Sequence, residues 1–274
     1  MCEQIDIIQT LEKNSVFFIH SFFFTQGVKF HYVEAGDKSK PLVLLLHGFP
    51  DCWLTWRKQI PCLAEHYRVV AIDLKGFGDC DKPLNGRSYK IEILIDELKQ
   101  FILILGVKTC NIIGHDLGGL LEWYKVTLHR DIVYKFVAIS SPHPNFYWNR
   151  VSRNSALDKK WIHFSRLPFL PEIDALKEDL SIIINDIFQH LQISQDSTEK
   201  SYIEAYKYAF SRKGRGEMSR AFYQGPATRD MWGLHPLKPL SLNTGQRTTV
   251  TTHGTHEVLL HMPQQSSRSR RQKT

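Results

Sequence analysis

The chain has 274 residues, a formal net charge of +7, 42% hydrophobic side chains and 23% charged ones. That is enough for one large domain, or one domain with an insertion, and the ordinary globular composition excludes wholesale disorder and fibrous repeats. Residues 225–274 hold +5 of the +7, so the basicity belongs to a tail; without helix-turn-helix or Cys/His finger spacing, nucleic-acid binding is excluded.

Residues 1–24 form an N-terminal segment. Its longest apolar run, Val16 to Phe24, is broken by His20 and Ser21 and falls short of the roughly 18 to 20 residues that span a bilayer. The run is expected to pack against a sheet, with contact to a membrane surface as the other reading. No basic leader or small-residue cleavage site marks a secretory signal, and no transmembrane segment is expected. Five scattered cysteines (Cys2, Cys52, Cys62, Cys80, Cys110) form no CxxC pair, which points to a reducing, intracellular compartment.

A core is predicted over 25–141. Residues 27–35 alternate as a half-exposed strand does, and Leu42 to Leu46 is an apolar run of five, as expected of a strand buried on both faces. Val69 to Ile72, Asn111 to Ile113 and Phe136 to Ile139 repeat that pattern. Helix-length stretches, Trp53 to Glu65, Ile91 to Leu105 and Leu117 to His129, lie between them. The alternation predicts an α/β fold, a doubly wound and mostly parallel sheet with its active site at the carboxyl ends of the strands.

Residues 142–224 change rhythm. Ile182, Ile183, Ile187 and Leu191, then Tyr202, Ala205, Tyr206 and Ala209, follow helical spacing, so this part is predicted to be a helical cap over the sheet. From Gly225 onward periodicity vanishes, and 225–274 reads as a basic, disordered tail.

Two motifs carry chemistry. Gly114-His115-Asp116-Leu117-Gly118-Gly119 follows a buried strand and opens a helix, the spacing of a nucleophile elbow with Asp in the nucleophile position; alone, Asp116 would also suit a helix N-cap. His47-Gly48-Phe49-Pro50 follows the strand at Leu42 to Leu46. The backbone N–H groups of Phe49 and Leu117 are therefore expected to converge as an oxyanion hole.

With these motifs the chain resembles the α/β-hydrolase superfamily, its epoxide hydrolase family and, within that, the animal epoxide hydrolase 4-like group. The resemblance runs from about His20 to Gln224. It also rests on Phe30-His31-Tyr32-Val33-Glu34-Ala35-Gly36, Asp73-Leu74-Lys75-Gly76-Phe77-Gly78 with Asp81-Lys82-Pro83, and Ser141-Pro142-His143-Pro144. It implies Asp116 as nucleophile, Tyr223 as proton donor, Pro50 and Trp161 as pocket lining, and Asp73 as a structural turn residue. It further implies a small apolar or lipid-like epoxide as substrate, no cofactor and no metal. An aspartate suits this chemistry because a carboxylate opens a strained ring without a base, whereas the departing alkoxide needs a proton. The location implied is cytoplasmic, or peripheral at the endoplasmic reticulum membrane.

The sequence also departs from the family. Trp161 stands where the first cap tyrosine is expected, and Leu117 where a Trp commonly follows the nucleophile. After residue 224 no apolar strand precedes a second acid, and no Gly-x-Ser-His-Trp-like segment carries a catalytic histidine. His235, His253, His256 and His261 sit in polar sequence, and His256 to His261 is one residue too long for a zinc HExxH. The C-terminal strands are thus expected to be missing, and diol turnover with them. The alternatives are a catalytically incomplete, truncated isoform acting as a non-enzymatic binding partner, and an aspartate-nucleophile dehalogenase.

Overall fold

A computed structural model describes residues 18–49, 51–83, 86–128, 131–143, 197–211, 248–253 and 256–261. The chain opens with a hairpin of β1 (Ile19–Thr25) and β2 (Val28–Ala35). Its two-residue turn has Gln26 at φ 50° and Gly27 at φ 77°. Positive φ at both positions gives the backbone twist that a tight hairpin needs. Phe23 of β1 stacks on Phe30 at 4.8 Å and on Phe101 at 4.2 Å between ring centroids, tying the hairpin to the helix that carries Phe101. From Ile19 on, the apolar run before residue 25 is therefore an antiparallel edge strand, paired in register with β2.

The centre of the sheet is β3 (Leu42–Leu46), β4 (Arg68–Ile72), β5 (Cys110–His115) and β6 (Val133–Ile139). Every residue of β3 and β4 is buried, which is why these strands read as continuous apolar runs instead of alternating ones. The spatial order is β1-β2-β4-β3-β5-β6-β8-β7. The pairs β4/β3, β3/β5 and β5/β6 are parallel, and β2 joins β4 antiparallel. From β3 the chain steps one way to β4, then crosses back over β3 to β5. The switch point, where an α/β sheet opens a crevice, thus lies between the carboxyl ends of β3 and β5.

Four α-helices are described: α1 (Ile60–Ala64), α2 (Ile91–Ile104), α3 (Leu117–Leu128) and α4 (Ser197–Ser211). On α2 the buried Leu94, Ile95, Leu98, Phe101 and Ile102 form one stripe at the spacing of a 3.6-residue repeat. The single helix expected over Trp53 to Glu65 is instead a 3-10 turn, Trp53–Trp56, followed by α1. Pro61 explains the break: it sits in the first turn of α1, where its missing N–H is harmless, and could not continue a helix running through from Trp53.

After residue 225 the structure carries more order than periodicity suggests. β7 (Thr248–His253) and β8 (His256–His261) form an antiparallel hairpin whose inner strand pairs with β6. The Thr-Thr-Val-Thr-Thr run, polar in composition, consists of β-branched residues that suit a strand once a partner edge is available. These are antiparallel strands, not the strand, acid and histidine segments expected of the family. Among the described residues no helix is long and apolar enough to cross a membrane.

Candidate active site

At the end of β5 the chain reverses into α3 within a single residue. Asp116 takes φ 46°, left-handed backbone that a non-glycine residue adopts only when its surroundings impose it. Here they do: the Asp116 N–H donates to the Ile139 carbonyl at 3.0 Å, and its own carbonyl accepts the Leu120 N–H at 3.0 Å. The flanking glycines are demanded by close approach. A Cβ on Gly114 would lie 2.6 Å from the Gly119 nitrogen, and one on Gly118 would lie 2.5 Å from the Leu46 oxygen. The sequence motif is thus a steric necessity, since β5, α3 and the end of β3 touch through bare backbone.

The loop after β3 meets the elbow. Gly48 faces Asp116 so closely that a Cβ there would sit 2.9 Å from the Asp116 Cβ. The Phe49 N–H donates to Asp116 Oδ2 at 3.0 Å, and the Leu117 N–H also donates to this carboxylate. His47 holds the loop from below. Its Nε2 accepts the Leu74 N–H at 2.9 Å, so Nδ1 carries the proton and donates to the Gly48 carbonyl at 2.7 Å. Burial pushes His47 down to about 4, which keeps this brace neutral at ordinary pH.

Asp116 has its pKa raised. Burial is the first cause, and the Phe49 N–H, the nearby His115 and the Leu117 N–H only partly offset it. The site is therefore a carboxylate with two backbone donors aimed at it in poorly solvated surroundings. Such an arrangement can supply a nucleophilic oxygen and can hold negative charge on the other oxygen.

Asp73, also at a strand end, is built differently. Its carboxylate accepts the Trp53 N–H at 2.8 Å and the Asp79 N–H at 3.1 Å and faces His31 Nδ1 at 2.8 Å. Burial alone would raise its pKa, but the hydrogen bond and charge of His31, with His47 and the Trp53 N–H, hold it down to about 2. Spent on those bonds, it ties β2 and the Trp53–Trp56 turn to its own loop, as a turn residue does.

Of the residues singled out in the sequence, Asp116, Phe49 and Leu117 come together. Pro50, Trp161 and Tyr223 lie outside the described residues. Two residues that motif reading passed over also meet here. Asp51 follows the Phe49 loop, and its Oδ1 accepts a hydrogen bond from the Tyr206 hydroxyl of α4 at 2.9 Å. The tail histidines have a definite register as well. Val258 pairs with Ile139, which places His256 and Glu257 beyond the carboxyl end of β6, with His253 opposite His256.

A family model described as alpha/beta hydrolase fold matches residues 41–162. The chain is 36% identical over 239 residues to epoxide hydrolase 3 of Xenopus tropicalis, covering 85% of this chain and 63% of that protein. It is 37% identical over 195 residues to epoxide hydrolase 4 of Homo sapiens, covering 69% of this chain and 53% of that protein. The chain thus spans less than two thirds of the length of these relatives. An epoxide hydrolase structure from Vigna radiata superimposes with a TM-score of 0.61 at 27% identity, covering 77% of this chain and 73% of that one. A Bacillus megaterium epoxide hydrolase solved with an inhibitor gives 0.63 at 24% identity, over 75% and 71% of the two chains, and speaks to the fold alone.

Proposed function

The chain has the α/β-hydrolase fold and is similar in sequence to epoxide hydrolases, and from that premise we propose that it opens small apolar epoxides through an ester on Asp116. The observation that carries this reading is the pairing of the φ 46° elbow with the Phe49 N–H on Asp116 Oδ2 at 3.0 Å. With Oδ2 held, Oδ1 attacks a ring carbon, and a carbon–oxygen bond forms as the strained one breaks. The ring oxygen leaves as an alkoxide and takes a proton, in this reading from Tyr223. Ring strain drives the attack, so no base has to activate the carboxylate.

The second half-reaction, attack of water on the ester, would place negative charge on the oxygen facing the Phe49 and Leu117 N–H groups. Activating that water is the task of a histidine with a supporting acid. The sequence after residue 224 has no recognisable counterpart of that pair, so the ester is expected to accumulate.

Incubation with a reactive aryl epoxide, followed by peptide mass spectrometry, tests this. One adduct is expected on Asp116 and none in Asp116→Asn, with less than one equivalent of diol per chain. Sustained diol formation without an adduct would reject the stalled-ester reading, and absence of both would reject the activity. Because the pKa of Asp116 is raised and only the ionised form attacks, the adduct rate should fall on acidification at a pH above the usual carboxylate range.

A further inference from the structure

The oxyanion loop is fastened to the cap helix by one part-buried polar contact between residues 155 positions apart. The Tyr206 hydroxyl donates to Asp51 Oδ1 at 2.9 Å, and the Cys52 N–H donates to the same oxygen at 2.8 Å. Tyr206 is 1% exposed and Asp51 is half-buried, so the hydroxyl has no water to turn to when this bond breaks. Beside it the Arg57 guanidinium stacks over the Tyr202 ring, 4.4 Å from its centroid, one helical turn from Tyr206. Arg57 itself is held by its Nη1 on the Leu54 carbonyl at 3.1 Å. α4 therefore grips the segment after β3 at two points, and that segment carries the Phe49 N–H that faces Asp116.

We propose that Tyr206 and Asp51 are positioning residues: through their hydrogen bond α4 holds the loop that aims the Phe49 N–H at Asp116, so seating of the cap helix and assembly of the oxyanion hole are one event. This rests on the reading of Asp116 as nucleophile, but the placement of Phe49 it invokes can be measured without any reaction. Phe49 is two residues from Asp51, and loss of the Tyr206 hydroxyl would leave the half-buried Asp51 carboxylate with one fewer donor. The carboxylate then gains a partner by shifting toward water, and the loop moves with it.

The latch is also sensitive to protons. Burial pushes Asp51 up to about 6, against the Cys52 N–H, the Thr55 and Tyr206 hydroxyls and the charge of Arg57. Asp51, Cys52 and Arg57 are in turn the charged or ionisable groups that act on Tyr206. An ionised Asp51 accepts the Tyr206 hydrogen bond at charge-assisted strength, and a protonated one does so more weakly. The hold on the loop is therefore firm above pH 6 and loosens below it. The raised pKa also means that the ionised form of Asp51 costs the fold stability, so this one group contributes more stability as pH falls from about 6 toward the ordinary carboxylate value, even as the latch loosens.

The experiment compares the full chain with Tyr206→Phe and Asp51→Asn by amide hydrogen exchange and by adduct kinetics. Tyr206→Phe keeps the ring and removes only the hydroxyl. A net hydrogen bond of about 0.5–1.5 kcal/mol corresponds to a factor of roughly 2 to 13. Protection of the Phe49 amide should fall by about that factor, while the Gly118 and Leu120 amides keep theirs. In the parent chain, protection corrected for intrinsic exchange should step down near pH 6, and Asp51→Asn should lack the step. Adduct formation at saturating epoxide should slow by the same factor with the half-saturating concentration unchanged. Unchanged Phe49 protection in Tyr206→Phe, or a pH dependence of that protection identical in Asp51→Asn and the parent chain, would overturn the latch even if Asp116 reacts. A parent chain that forms no adduct but shows both exchange effects would overturn the proposed reaction and leave the latch standing.

Discussion

Glu122 lies in α3 with 0% exposure, and neither of its carboxylate oxygens meets a hydrogen-bond partner among the described residues. Lys125, three residues on, is equally buried and gives its Nζ to the Ile95 carbonyl at 3.2 Å. Burial pushes Glu122 up to about 8 against the pull of Lys125, and pushes Lys125 down to about 8 against the pull of Glu122. At neutral pH Glu122 is therefore largely protonated, and Lys125 places its ammonium on the Ile95 carbonyl instead of on that carboxyl. Lys125→Met leaves a protonated Glu122 and should therefore cost less in denaturant unfolding at neutral pH than the roughly 3–5 kcal/mol of a broken buried ion pair, whereas Glu122→Val with Lys125→Met should be neutral or stabilising by about 1–4 kcal/mol. In the single variant the buried Glu122 binds its proton more tightly folded than unfolded. Stability there should climb as pH falls from about 8 toward the ordinary carboxylate value, a slope that the double variant lacks. Residues differ in how far sequence reveals them for a related reason. Asp116 is legible because its glycine flanks are local, but the partnership of Asp51 and Tyr206 joins positions 155 apart, and no pattern within either segment encodes it.

The elbow is the element whose sequence most narrowly limits its shape. Gly118→Ala places a methyl 2.5 Å from the Leu46 oxygen and 2.6 Å from the Leu46 Cβ, inside a fully buried strand that cannot yield. Overpacking of this kind costs about 1–3 kcal/mol, and relief requires α3 to shift its first turn, taking the Leu117 N–H with it. The variant should melt lower and lose at least tenfold in Asp116 adduct rate, read by the same peptide mapping. Elements buried on both faces, such as β3 and β4, are legible in sequence because burial leaves no polar positions to confuse the pattern. α2 is legible because its stripe of Leu94, Ile95, Leu98, Phe101 and Ile102 repeats at helical spacing. β1 is harder: exposed Phe22 and Phe24 on the face opposite buried Phe23 hide its alternation. β7 and β8 are harder still, because their pairing with β6 is a long-range choice that a Thr-rich segment does not announce.

Among the described residues the fold is a sheet with a parallel centre flanked on each side by an antiparallel hairpin. On one side β8 covers β6 from Phe136 to Ile139, strand backbone that would otherwise present open N–H and C=O groups to other chains. A chain ending at residue 224 should therefore self-associate, with a larger hydrodynamic radius in light scattering at concentrations where the full chain stays dispersed; equal radii would mean that the hairpin protects nothing. Deep within this frame, the donors aimed at Asp116 come from the main chain of residues 49 and 117. Mutation acts on them in a peculiar way. Any side chain can be exchanged at these positions without erasing the N–H, and only proline deletes it. A substitution at either site can therefore change the side chain while leaving the backbone donor to Asp116 in place.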